Sequence, residues 1–280
     1  MITMGRNVEL KDCNGNVLAG FFQYGSVSWR TFYAWLRVLI LTCEPWSIYN
    51  DDRHAAVEYL SSDAIVLPGT YFLLSADRRP LCAVLTSMHA RRRQPTPPRL
   101  SPQEESFRNR VRARDGRCMI FGQQSAPWSR LQAAHIFPRA HYVEWNRKGY
   151  PALITDAALE AQIGGPSKIG SVQNAVLLRS DLHWAWDEYE FGVDPDDGYR
   201  VTAFVGGLGD VNGRMLKLDH ITDATLRPPD ELFRDHFLQG LLRHVRGVGE
   251  RGWDYSETFG EGAFDLSQLG VWAPRKGRSG

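Results

Sequence analysis

Cysteine is scarce in this sequence and is not arranged for metal binding. The 280 residues contain four cysteines, at positions 13, 43, 82 and 118, and no Cys-x-x-Cys pair. Zinc sites built from cysteine use closely spaced pairs, so we do not expect a cysteine-ligated zinc knuckle. Single, scattered cysteines are typical of a reducing compartment.

Long apolar runs and an excess of charge are also missing. The sequence has no run of about 18 apolar residues, the length that predicts a membrane-spanning helix, and its start lacks a signal-peptide layout. We therefore expect an intracellular protein, nuclear or cytoplasmic, with no membrane partner. The formal net charge is only +1, so any affinity for nucleic acid must come from local clusters of positive charge.

The first 88 residues have the pattern of a small α+β domain. A hairpin is predicted over 6–23, with Asn14-Gly15 as its turn. Ser28 is placed to cap a helix over 29–42. Apolar stretches near 67–74 and 83–85 predict strands. A β-grasp arrangement is one candidate for this order of elements, and its role is not indicated by the sequence.

Positive charge is concentrated in the next segment. Residues 89–104 form a basic, proline-rich linker, and residues 89–117 together contain nine arginines and three acids. Such a run is compatible with a solvated linker and helix face, or with a surface that binds a phosphate backbone. Four of the arginines directly precede the motifs described next and are the candidates for nucleic-acid binding: Arg108, Arg110, Arg112 and Arg114.

Between 118 and 187, polar residues interrupt apolar runs in a pattern typical of a site. These residues are His135, Asn174, His183 and Asp187. His183 and Asp187 are four residues apart, one turn on the same face of a helix, a spacing at which two side chains can share one cation. We predict antiparallel strands at 118–121 and 131–137, with His135 on the second. A helix is predicted from Ser180 or Asp181 to about Asp187, with Ser180 as its N-cap.

The motifs in this stretch resemble those of the HNH endonucleases, which carry the ββα-metal fold, and in particular the fungal branch of that family. The resemblance covers roughly 105–205. It rests on the order and spacing of four short motifs: Cys118 with Gly122, Ala133-Ala134-His135-Ile136 with Pro138, Gln173-Asn174 to His183, and Asp187 with Phe191.

The resemblance implies a metal-dependent nuclease that hydrolyses phosphodiester bonds in nucleic acid, with DNA as the expected substrate and RNA as the alternative. His135 matches the general base, and Asn174 the residue that holds it or touches the metal. His183 and Asp187 match metal-binding positions. The implied catalytic residues are thus His135, Asn174 and His183, and the implied ligands are Asn174, His183 and Asp187. A carboxylate among the ligands favours Mg²⁺ or Mn²⁺, with Zn²⁺ as an alternative.

One position departs from many family members and keeps other functions open. Many HNH nucleases have a metal-binding aspartate or histidine just before the catalytic histidine, where this chain has Ala134. His141 is an alternative extra ligand. Without cleavage, the same fold would serve as a nucleic-acid-binding module, or as an enzyme that uses His135 for acid–base chemistry on a small molecule.

These observations predict an α+β protein in four parts. An N-terminal α+β domain spans 1–88, the basic linker 89–104, and the nuclease-like domain 105–205. The last part, 206–280, contains an amphipathic helix at 229–245 that packs on the nuclease-like region, followed by a tail.

Overall fold

The computed structural model describes residues 5–50, 58–92, 102–125 and 127–249. Its strands and helices give a mixed α+β architecture, as predicted. Most of the linker predicted at 89–104, and the tail from 250 onwards, lie outside the described residues. The four-part division of the chain stays a prediction. None of the described helices is long and apolar enough to cross a membrane.

The N-terminal region contains a five-stranded sheet in the order β2-β1-β6-β4-β5. The predicted hairpin is confirmed, because β1 pairs antiparallel with β2 and Gly15 adopts a positive φ of 85° in the turn. The strands are β1 Val8–Lys11, β2 Val17–Phe21, β4 Trp46–Tyr49, β5 Glu58–Tyr59 and β6 Gly69–Ser75. Strands β3 Ile40–Thr42 and β7 Ala83–Leu85 form a separate two-stranded sheet.

Helix α1, Trp29–Leu39, covers the core of this region. Ser28 caps it as predicted, since its hydroxyl oxygen accepts a hydrogen bond from the backbone N–H of Thr31 at 3.2 Å. The apolar side chains recur at helical spacing and are buried. They are Trp29, Phe32, Tyr33, Trp35, Leu36 and Leu39.

Helix α2, Pro102–Asp115, leads into the motif region, where the strand predicted at 118–121 is wrong. Residues 118–122 form a tight turn instead, closed by a 2.7 Å hydrogen bond from the Gly122 N–H to the Cys118 carbonyl. Gly122 has φ of 70°, a conformation that suits glycine. The apolar run at 118–120 is buried, and buried turns and short strands share that composition.

Strand β8, Leu131–His135, pairs antiparallel with β9, Ala175–Arg179. His135 therefore ends the first strand of its pair, and the partner strand follows it along the chain. Helix α5, Ser180–Asp187, begins at the residue directly after β9. Arg179 occupies the N-cap position without a side-chain cap bond, so the prediction that Ser180 is the N-cap is wrong. The insertion between β8 and β9 contains α3, Tyr142–Arg147, and α4, Glu160–Ile163.

The chain then forms an antiparallel hairpin from β10, Phe191–Asp194, and β11, Arg200–Ala203. Helix α6, Asp230–Gly240, follows and continues as a turn of π-helix over Leu241–Val245. Its first half packs in the motif core through Leu232 and Phe233. Its second half packs in the N-terminal core, through Phe237, Leu241, Leu242 and Val245. The predicted helix thus contributes to both hydrophobic cores.

Candidate active site

The backbone of His135 is fixed between β9 and α5. His135 pairs with Ala175 in the sheet register. The next residue, Ile136, donates its backbone N–H to the Asn174 carbonyl at 3.1 Å. The Trp186 indole N–H on α5 donates to the His135 carbonyl at 2.8 Å. These contacts tie the strand end that carries the candidate base to the helix that carries the candidate ligands.

The imidazole ring of His135 lies against helix α2. The Phe107 ring stacks on it with 4.1 Å between ring centroids and an angle of 5° between planes. The residue as a whole is half-buried, but Nε2 is shielded from solvent and has no hydrogen-bond partner among the described residues. Burial, with smaller contributions from the positive charges of Arg139 and His183, lowers the pKa of His135 to about 3. His135 is therefore neutral throughout the physiological pH range.

Asn174 is completely buried, and its amide group is used in three backbone hydrogen bonds. Its Nδ2 donates to the Phe137 and Ile169 carbonyls, both at 2.9 Å. Its Oδ1 accepts the Phe137 N–H at 2.8 Å. The side chain therefore holds the segment directly after His135 against the start of β9.

His183 and Asp187 lie one turn apart on the same face of α5, as their spacing predicts. The distance from His183 Nδ1 to Asp187 Oδ2 is 3.6 Å, and each side chain is 28% exposed. Helix α5, which carries this pair, packs against β8, which carries His135. Ala134 is fully buried in the motif core.

The donor set suits a cation that keeps water or substrate oxygens among its ligands. Within the part of the chain that the structure describes, no group of three or more His, Cys, Asp or Glu side chains is placed to hold a metal ion. A closed, four-coordinate structural zinc site therefore does not fit. One imidazole and one carboxylate do fit a Mg²⁺-like or Mn²⁺-like ion, because Mg²⁺ is usually bound by one or two protein carboxylates together with water and substrate phosphate.

Two of the four candidate arginines on α2 are used inside the protein. Arg110 donates to both oxygens of Asp156 at 2.7 Å. Burial raises the pKa of that carboxyl, but the hydrogen bonds from Arg110 and Ser171 outweigh burial and lower it. Arg114 is 3% exposed and forms a two-pronged pair with Asp115 at 2.6 and 2.8 Å. Both guanidinium groups stabilise the fold.

Arg108 and Arg112 are in a different situation. No carboxylate among the described residues forms a salt bridge with either of them. The Arg112 guanidinium lies over the Trp128 ring, 5.4 Å from its centroid. Of the four arginines predicted to bind nucleic acid, Arg108 and Arg112 are the pair whose charge is not neutralised within the described protein.

The sequence did not indicate two residues next to His135 as part of the candidate site. Phe107 gave no signal, because an isolated apolar residue on a helix is ordinary. Arg139 directly follows Pro138 of the motif, and a cation beside a candidate base could have been noticed. Arg139 lies near Glu104, at 3.6 Å, and is 43% exposed. His141, the alternative ligand, has its Nε2 3.0 Å from the Arg92 carbonyl oxygen.

An open cleft of about 450 Å³ lies outside this constellation. None of the predicted catalytic residues lines it, although Gln173 of the same motif does. Its other lining residues include Leu153, Thr155, Tyr199, Arg227 and Asp230. The cleft is therefore not the candidate active site.

Comparison with known proteins gives one match. Residues 118–194 match a family model described as HNH endonuclease. No curated protein and no solved structure matches the chain. The matched segment contains β8 with His135, Asn174, and α5 with His183 and Asp187. The resemblance to the HNH endonuclease family is thereby confirmed over residues 118–194.

Proposed function

We propose that this protein is a metal-dependent endonuclease that hydrolyses phosphodiester bonds in DNA, with a ββα-metal core formed by β8, β9 and α5. The proposal rests on how one strand and one helix are arranged. His135 ends a strand that is hydrogen-bonded to the helix bearing His183 and Asp187, within a segment that matches the HNH endonuclease family. Both the fungal branch and an intracellular, nuclear or cytoplasmic location belong to this proposal.

His135 acts as the general base in this mechanism. Hydrolysis requires a water molecule to lose a proton as it attacks phosphorus, and a neutral imidazole accepts that proton. Because burial lowers its pKa to about 3, His135 is unprotonated at neutral pH but is a weak base, and the negative charge of a bound phosphate would raise that pKa towards the range a general base needs. Nε2 has no hydrogen-bond partner among the described residues, and we assign it to this step, which requires the side chains that shield it to shift so that water can reach it.

His183 and Asp187 would hold the divalent cation. A bound cation would relieve the charge of the scissile phosphate and stabilise the leaving oxygen. The ring and the carboxylate are 3.6 Å apart and partly exposed, so both would be accessible to an ion from solvent. Asn174 positions the base through the Phe137 backbone. Arg139 contributes positive charge next to His135, where a phosphate would lie.

Two assays distinguish the catalytic role from the metal-binding role. Nicking of supercoiled plasmid is measured with Mg²⁺ or Mn²⁺ and with EDTA, and metal affinity is measured by calorimetric titration. We expect His135→Ala to abolish cleavage while metal affinity stays nearly intact. We expect His183→Ala or Asp187→Ala to weaken metal binding about tenfold or more, and cleavage as a consequence. Asn174→Ala should reduce cleavage, because it removes the hydrogen bonds that hold the segment after His135, and should leave metal affinity nearly intact. The exposed His89→Ala serves as the control and should leave both unchanged. Wild-type cleavage by His135→Ala would refute the mechanism.

A second candidate is a nucleic-acid-binding module that has the fold but not the activity. Two observations favour it: the shielding of His135 Nε2 beneath Phe107, and Ala134 at a position that often supplies a ligand. DNA binding by the pure protein without nicking in Mg²⁺ or Mn²⁺ would support this candidate. If the pure protein neither binds nor nicks DNA, that result would support acid–base chemistry by His135 on a small molecule.

A further inference from the structure

Two like charges lie next to each other on α2, and no carboxylate among the described residues neutralises either of them. Arg108 and Arg112 are four residues apart, so their side chains are neighbours on the helix surface and repel each other. Burial and the charge of Arg108 both lower the pKa of Arg112. Arg110 and Arg114 on the same helix each have a carboxylate partner. An arrangement of this kind is stabilised when an anion binds.

An exposed tryptophan lies directly beside this pair. Trp128 is 41% exposed and begins the short 3₁₀ turn Trp128–Arg130 that precedes β8. The Arg112 guanidinium is 5.4 Å from its ring centroid, close enough for a cation–π contact that fixes the ring. Nε of Arg112 is shielded and has no hydrogen-bond partner among the described residues. The tryptophan is therefore held by a cation while much of it stays open to solvent.

These groups form a strip that ends at the candidate base. Helix α2 packs along β8. At one end Phe107 stacks on His135, and at the other Arg112 covers Trp128. The five residues of β8 span about 16 Å. We call the set Arg108, Arg112, Trp128 and Arg139 the basic–aromatic strip.

We infer that the basic–aromatic strip binds a single-stranded segment of nucleic acid, with an unpaired base stacked on Trp128 and backbone phosphates on Arg108 and Arg112. This inference rests on the proposed function and names its substrate class. In a duplex the faces of each base are covered by its neighbours, so a tryptophan on the surface finds no ring to stack on. Proteins that bind single strands combine positive charge along the backbone with aromatic stacking platforms.

The test measures binding without cleavage. Fluorescence anisotropy in EDTA compares a labelled oligothymidylate of about 16 nucleotides, the upper range for one single-strand-binding module, with a blunt duplex of equal length. We expect the wild-type protein to bind the single strand more tightly. Trp128→Ala should weaken single-strand binding by roughly 5- to 100-fold and leave duplex binding unchanged, because stacking contributes only with an unpaired base. Trp128→Phe should restore much of the affinity, since a π-face is kept.

Two further variants separate stacking from charge and from general disturbance of the surface. Arg112→Ala should reduce the salt dependence of single-strand binding by about 0.7 in slope, the value for one phosphate contact, and Arg112→Lys should retain it. Leu67→Ala, at an exposed apolar side chain of the N-terminal region, should have no effect. Thermal melts of each variant check that it is folded.

The inference is overturned if Trp128→Ala leaves single-strand affinity unchanged, or lowers single-strand and duplex affinity equally. Its failure is distinguishable from that of the proposed nuclease function. A protein that nicks plasmid, but whose single-strand affinity is unchanged by Trp128→Ala, refutes the strip alone. Trp128-dependent binding of single strands by a protein that never nicks DNA refutes the nuclease and leaves the strip in place.

Discussion

Acid should destabilise this protein well before its carboxylates are protonated, because three histidines, one buried and two half-buried, are held neutral. Burial lowers the pKa of His135 and of His236 to about 3 and that of His244 to about 4. His236 stacks on Trp186 with 3.7 Å between ring centroids, and the Nε2 of His244 is 2.8 Å from the Glu188 carbonyl oxygen. An unfolded histidine has a pKa of about 6.5, so below that pH the unfolded chain binds protons that the native state does not.

The direction and size of the change in stability with pH follow from this difference in proton binding. When the unfolded state binds more protons, stability falls as the pH falls. Between pH 8 and pH 5.5, each of the three histidines should lower the free energy of unfolding by roughly 1–2 kcal/mol, so that together they remove about 4 kcal/mol. The low native pKa values do not limit this loss, since all three lie well below pH 5.5. A loss of that size is a large part of a typical stability of about 5–15 kcal/mol.

Urea unfolding followed by circular dichroism at pH 8, 7, 6 and 5.5 provides the measurement. Glu190 opposes the trend, because burial and the charge of Glu188 raise its pKa and native protonation then stabilises the fold in acid. The more specific measurement is therefore the difference between variants in the free energy of unfolding lost between pH 8 and pH 5.5. His236→Gln should reduce the loss between pH 8 and pH 5.5 by roughly 1–2 kcal/mol, and the exposed His89→Gln should not. Parallel stability curves for the wild type and His236→Gln would refute the reasoning.

Two further predictions concern packing around the site. Arg114→Ala should destabilise the protein by about 3–5 kcal/mol in urea unfolding, because Asp115 is left charged and buried, whereas Arg108→Ala on the same helix should change stability by less than about 0.5 kcal/mol. Equal effects of the two changes would contradict the internal role of Arg114. Gly240→Ala should cost about 1–3 kcal/mol, since its Cβ would overlap the Phe204 ring. Gly5→Ala, where a Cβ meets nothing, is the control, and unchanged stability of Gly240→Ala would contradict the packing.

Much of the candidate site could be predicted from local sequence. The four-residue step from His183 to Asp187 fixes one helix face whatever lies around it, and α5 has the predicted end at Asp187. The strand that carries His135 was also predictable, from an apolar run closed by Pro138. The turn at 118–122 was not, because Cys118, Met119 and Ile120 are as apolar as a short strand, and only Gly122 signalled a turn.

The arginines on α2 show what local sequence leaves out. Their number and spacing predict a charged helix face, but not which of them meet a buried carboxylate. The partner of Arg110 is Asp156, 46 residues away, and Arg114 also donates to the carbonyls of Val172 and Leu226, 58 and 112 residues away. The division between internal and available arginines depends on these long-range contacts, so it required the fold.

The hydrogen bonds of Asn174 bear on how a site without a ligand at position 134 is organised. Both Nδ2 hydrogens are donated to backbone carbonyls, and Oδ1 already accepts the Phe137 N–H. Contact with a cation would therefore have to use the remaining lone pair of Oδ1 in a fully buried side chain. The same bonds hold the backbone on the C-terminal side of His135, while Trp186 holds its carbonyl. The geometry thus favours Asn174 as the residue that positions the base, and leaves cation binding to His183, Asp187 and the oxygens of water and substrate.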